Sequence, residues 1–186
     1  IGVMKTIGAR APQLTGLYLG MVAIFGLLGT AGNSAVARYL TGKKVPQLLI
    51  SSGASKWLDT KAYPVTVTAL PTYDTEAAIY AKYVLKQNPN AKIGVLYQND
   101  DLGRDYLHGL HRALGEAGKK NLAAELSYEV TDATVSTQII QLKASGADVF
   151  IVAAVPKFAA QAVKSMGESG WKPLLIFTNV ANSVGT

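Results

Sequence analysis

The residues able to do covalent or metal chemistry are few. His108 and His111 are the two histidines, three apart in a helical stretch with Asp105 nearby. That spacing puts two imidazoles on one helix face, where they could hold a metal. Two histidines on an exposed helix are more often surface residues, and no metal is expected. Ser51, Ser52 and Ser55 follow an apolar run, but neither histidine lies in a matching loop after a strand. A hydroxyl without a base is not an activated nucleophile. Asp100 and Asp101 are adjacent, so their side chains point apart and read as the cap of a following helix. Gly26-x-x-Gly29-x-x-Gly32 invites a dinucleotide reading, but the spacing is wrong for G-x-G-x-x-G. The next strand also ends in Ser51-Ser52 rather than in an acid for a ribose, and no G-x-x-x-x-G-K-[ST] occurs. There is no cysteine, hence no thiolate, disulfide or cysteine-type zinc site. No catalytic residue, metal or cofactor is expected.

What remains are small polar loops, and the elements around them explain why they matter. Apolar strands alternate with helices of about ten residues, the pattern of βαβ units and mostly parallel sheets. Strands are expected at Met21–Phe25, Val45–Ile50, Tyr63–Leu70, Ile93–Tyr97, within Leu122–Val130, at Val149–Ala154 and at Leu174–Phe177. Helices are expected at Ser34–Leu40 (capped by Asn33), Thr75–Gln87, Gly103–Gly115, Ser136–Ser145 (capped by Ser136, stopped by Gly146) and Phe158–Glu168. In open α/β sheets, ligands bind at the carboxyl ends of strands. The loops there are Gly26–Asn33, Ser51–Ser55, Gln98–Leu102, Val155–Lys157 and Thr178–Val180. The first two are rich in backbone N–H and hydroxyl groups beside helix N-termini, a setting that suits a carboxylate or another anion. Pro71-Thr72-Tyr73-Asp74 is the expected boundary between two structural parts.

The 186 residues carry a net charge of +6, with 49% hydrophobic and 16% charged residues. Such a chain has enough apolar surface to fold. The positive excess is scattered and not interleaved with aromatics, which argues against nucleic acid. From Ala11 to Ala37 there is no charged residue, and Leu14–Ala31 approaches the roughly 20 apolar residues of a membrane span. Lys5 and Arg10 before it and small residues after it also follow a signal peptide's order. The five glycines from Gly16 to Gly32 (Gly16, Gly20, Gly26, Gly29 and Gly32) fit better a buried strand at Met21–Phe25 followed by a loop. A membrane or targeting segment remains the alternative.

Five stretches in order, KKVPQLLISSGASKW, PTYDTEAAIYAKYVL, AKIGVLYQNDDLGRDYLHGL, TVSTQIIQLKASGADVFIVAA and ESGWKPLLI, resemble the branched-chain amino acid binding protein family. These are type I periplasmic solute-binding proteins of ABC importers. The resemblance runs from about Met21 to the C-terminus. It implies two α/β lobes joined by hinge crossings, with ligand in the cleft and a membrane permease as partner. Residues 1–70 would be a partial lobe one, 71–74 a crossing and 75–186 lobe two. The first twenty residues do not resemble the family's opening, and the returning lobe-one segments are missing, so the chain is expected to be incomplete.

The resemblance places the lobe-one carboxylate site on Gly29, Thr30 and Ala31 and on Gly53, Ala54 and Ser55. It places lobe-two contacts on Leu102, Val155-Pro156 and Asn179-Val180, and Tyr73 either stacks on the ligand or packs the lobe junction. The acid that family members use for an α-ammonium is absent from the Asn179 position. Burying an unpaired ammonium there is expensive. The expected ligand is therefore a carboxylate without an α-amino group, apolar or aromatic. The alternatives are an ordinary branched-chain amino acid binder and a membrane-anchored sensory domain. The expected location is the periplasm or the cell exterior.

Overall fold

The computed structural model describes residues 29–182. The chain divides into two compact units, Ile1–Leu70 and Pro71–Thr186. The expected strand at Met21–Phe25 and Gly16, Gly20 and Gly26 lie outside the described residues.

In the first unit, α1 (Thr30–Gly42) buries Thr30, Asn33, Ala37 and Leu40, one helical stripe at spacings of three and four. It precedes β1 (Gln47–Ile50), a 3-10 turn at Ser55–Leu58 and β2 (Thr66–Thr68). The two strands pair in parallel. The helix begins earlier than expected, and Asn33 is not its cap. Gly29 takes that position at φ 92°, a conformation open to glycine, and Asn33 is buried inside the helix. Its side-chain N–H donates to the Gly29 carbonyl at 2.7 Å, and its oxygen accepts from Gln47 at 3.0 Å. The Gln47 oxygen in turn accepts from the Thr66 hydroxyl at 3.2 Å. This polar chain ties α1 to both strands, and β1 starts at Gln47 rather than at the expected Val45. The register slips between Gln47 and Ile50, where Leu49 sits at φ 54°, so the strand carries a bulge. Only Thr66–Thr68 of the expected Tyr63–Leu70 strand forms ladder.

The second unit is a four-stranded parallel sheet in the order β4-β3-β5-β6. Its elements are α2 (Tyr73–Gln87), β3 (Ile93–Gln98), α3 (Asp101–Gly118), β4 (Leu122–Tyr128), α4 (Ser136–Ala144), β5 (Val149–Ala153), α5 (Pro156–Glu168) and β6 (Leu174–Phe177). The central β5 is buried at every residue, as a parallel strand covered on both faces must be. One apolar core joins Leu96, Ile139, Leu142, Phe150 and Val152 from strands and helix to Phe158 and Trp171.

Caps set where the helices begin. The Thr72 hydroxyl accepts from Thr75 N–H, so α2 starts two residues before the expected Thr75. Asp100 accepts from the Leu102 and Gly103 N–H groups and caps α3. Gly115, the expected stop of that helix, breaks it at φ 59° before a last turn to Gly118. Ser136 is not the cap of α4; Val135 occupies that position, and the Ser136 hydroxyl bonds Thr134 and Ser165 instead. Gly146 at φ 74° ends the helix as expected. Pro156 opens α5 at its first turn, where its missing N–H costs nothing.

Candidate functional site

In the first unit, Ser52 organises both expected loops. It is fully buried, and its hydroxyl lies 2.8 Å from the Thr30 hydroxyl and 2.9 Å from the Trp57 indole N–H, which donates to it. The Ala54 N–H points at the same oxygen at 3.4 Å, and the Thr68 hydroxyl donates to the Ser52 carbonyl. Gly29 N–H donates to the Ser51 carbonyl at 3.0 Å. Gly29, Thr30 and Ala31, at the start of α1, are thereby brought beside Gly53, Ala54 and Ser55. Ala31 is exposed, Ser55 is half-buried, and Gly53 and Ala54 are buried.

The same corner is electropositive. The first turn of α1 holds no acid, and its N-terminal N–H groups carry the positive end of the helix dipole. The Lys56 ammonium donates to Ser34, one turn along α1 from Thr30, at 2.6 Å and lies 5.0 Å from the Trp57 ring centre. In sequence Ser52 reads only as a nucleophile without a base, and nothing there marks Lys56 or Trp57 as site residues. Their roles depend on contacts with a helix some twenty residues upstream.

In the second unit, the loops at the carboxyl ends of β3, β4 and β5 are joined by one side-chain chain. The Tyr128 hydroxyl donates to the buried Gln98 side-chain oxygen at 2.9 Å and accepts from Val155 N–H at 3.1 Å. Gln98 donates to Asp100 at 2.7 Å, and Asp100 accepts from Leu102 N–H at 2.9 Å. Leu102 and Val155, from different loops, are thus held by one network. Leu102 is buried and Val155 half-buried. Burial pushes the Tyr128 hydroxyl pKa upward, so it stays a protonated donor.

A second network lies at the start of α2 and the end of β6. Tyr73 is buried and its ring stacks on Tyr106, centres 5.0 Å apart. In this structure one face of the Tyr73 ring is therefore taken by protein. Glu76, one turn on, is the buried charged residue among those described. One carboxylate oxygen accepts from Asn179 N–H at 2.8 Å and from the Tyr80 hydroxyl; the other accepts from the Tyr106 hydroxyl at 2.8 Å. Burial, with Glu76 adding, pushes the Tyr106 and Tyr80 pKa values upward. Both phenols remain donors. The Asn179 side chain is exposed.

The groups weighed for other chemistry are placed elsewhere. His108 pairs with Asp74 at 2.7 Å and His111 with Glu125 at 2.5 Å, so the two rings face different acids. Among the described residues no three histidine, cysteine or acidic side chains gather as a metal site, and no helix is long and apolar enough to cross a membrane.

A family model of periplasmic binding proteins matches residues 16–184. The chain belongs to this family. No curated protein sequence gives a significant match. A substrate-binding periplasmic protein from Ralstonia solanacearum superposes with a TM-score of 0.71 at 25% identity, over 82% of this chain and 42% of its own. A fatty acid ABC transporter substrate-binding protein from Thermomonospora curvata gives 0.72 at 22% identity, over 84% and 40%. An ABC transporter solute-binding protein from R. palustris, in complex with 4-hydroxybenzoate, gives 0.67 at 22% identity, over 83% and 42%. This periplasmic binding protein chain thus spans about two-fifths of the length of those structures. The α/β type I periplasmic-binding-protein class with parallel sheets, expected from the alternation of elements and the resemblance, is borne out. The family and these structures are solute binders rather than enzymes.

Proposed function

We propose that the chain is part of an extracytoplasmic solute-binding protein of an ABC importer, and that its solute is a small carboxylate with an apolar or aromatic body. The observation that carries this reading is the corner around Ser52. Backbone N–H groups at the start of α1, the Gly53–Ser55 turn and the Lys56 ammonium together favour an anion there. Residues 1–70 then contribute to lobe one, 71–74 to a crossing and 75–186 to lobe two. The crossing supplies Tyr73, and lobe two supplies Leu102, Val155 and Asn179.

The case against an amino acid rests on Asn179 and Glu76. Asn179 offers no charge to an ammonium, and both Glu76 oxygens already accept from protein donors. The fatty acid and 4-hydroxybenzoate binders among the similar structures fit a carboxylate ligand. In this reading the protein works in the periplasm or outside the cell, performs no catalysis and delivers its ligand to a membrane permease.

Titration calorimetry with 4-hydroxybenzoate, octanoate and leucine tests the ligand class. Saturable binding of either acid, with leucine silent, is expected. Tight leucine binding with no response to the acids would sink the proposal.

A further inference from the structure

We infer that Glu76 is a positioning residue that sets ligand affinity by holding the Asn179 segment against the start of α2. This rests on the proposed binding of a carboxylate solute, since Asn179 and Tyr73 matter only if ligand reaches them.

Glu76 is 8% exposed, and its carboxylate accepts from neutral donors: two phenols and one backbone N–H. For packing alone a leucine of similar size would serve better, because a buried carboxylate loses its hydration. What a carboxylate does that leucine cannot is accept several hydrogen bonds at once. Those bonds join three places: α2 through Tyr80, α3 through Tyr106, and the residue two beyond the end of β6 through Asn179 N–H. The last link spans 103 residues of sequence. Tyr106, oriented by Glu76, is also the ring on which Tyr73 stacks. One side chain therefore fixes the backbone of one candidate contact and, through Tyr106, the ring of another. The same Tyr80 hydroxyl lies 3.3 Å from the Phe177 carbonyl, a second acceptor for its one proton.

Glutamine keeps an acceptor oxygen for Asn179 and can turn its amide toward a phenol oxygen, whereas leucine keeps nothing. The full chain is therefore made as wild type, Glu76→Gln and Glu76→Leu, and titrated with 4-hydroxybenzoate, octanoate and leucine. The acid that binds wild type is expected to bind Glu76→Gln within about threefold and Glu76→Leu more than tenfold more weakly, each tenfold step corresponding to a free-energy change of fixed size. Equal affinity in Glu76→Leu overturns the inference. So does a glutamine variant as weak as the leucine one, because charge at the ligand would then be the function of Glu76. Wild-type leucine binding that Glu76→Gln abolishes also overturns it, and makes Glu76 an ammonium-binding acid.

Amide hydrogen exchange separates this inference from the ligand reading. Glu76→Leu is expected to speed exchange at Asn179 more than tenfold while the β5 amides stay protected. Unchanged exchange at Asn179 overturns the positioning role even if no tested acid binds. Accelerated exchange with no acid bound by wild type leaves the tie intact and sinks the ligand class instead.

Discussion

Tyr128→Phe isolates one hydroxyl whose two bonds hold two candidate loops. The ring stays, packed 4.3 Å from Phe158, so no cavity opens. The buried Gln98 oxygen, in a side chain only 5% exposed, loses its donor. Leaving such an acceptor unsatisfied costs about 1–3 kcal/mol. Val155 N–H loses its acceptor too, but this residue is half-buried and water can reach it, so the loss there is about 0.5 kcal/mol. The total is about 2 kcal/mol. With a urea m-value of about 2 kcal/mol/M, the midpoint of the second unit's unfolding should fall by about 1 M. Urea titration followed by far-UV circular dichroism reads this directly. A midpoint within about 0.25 M of wild type would mean the hydroxyl does not hold the loops, since that is only about 0.5 kcal/mol. Alkaline pH provides an internal check. The folded-state pKa of Tyr128 is raised above its ordinary 10.0. Its contribution is therefore full below pH 10 and is lost as pH rises toward the folded value. Wild type should lose stability above pH 10, and Tyr128→Phe should lose less, Tyr80 and Tyr106 supplying the remainder.

Two further perturbations probe the scaffold under the second network. A β-carbon at Gly109 would meet the Asp74 carbonyl oxygen at 2.2 Å, so Gly109→Ala must push α2 and α3 apart and should cost about 1–3 kcal/mol by urea titration. Asp74 is bonded to Arg112, which holds its carboxyl below the ordinary 3.8 against the opposing effect of partial burial, with His108 assisting. A depressed folded pKa gives stability that is present above pH 3.8 and lost as pH falls through the folded value. Asp74→Asn should therefore melt below wild type at pH 6, with the gap closing below pH 3.8 in thermal scans; a gap that persists at pH 2 would contradict this.

The strands of the second unit were legible because their pattern is local. The apolar runs at Ile93–Tyr97 and Val149–Ala154 lie within a residue of β3 and β5. Gly146 and Asp100 declare a stop and a cap by chemistry that acts over a few residues. Where a helix begins was less legible. Asn33 has the composition of a cap, but Gln47 and the Gly29 carbonyl draw it into the interior. Ser136 is likewise drawn to Ser165, 29 residues away.

Composition and order determined the fold class, the family resemblance and the loops that gather at strand ends, because hydrophobic periodicity and turn chemistry depend on neighbours in sequence. Tertiary structure decided which side chains organise those loops. Ser52 binds Thr30 across 22 residues, Tyr128 binds Gln98 across 30 and Glu76 binds Asn179 across 103. A serine, a tyrosine and a glutamate are ordinary in sequence. Each acquires its role only when burial removes water as a competing partner, so that donors and acceptors distant in sequence must satisfy it.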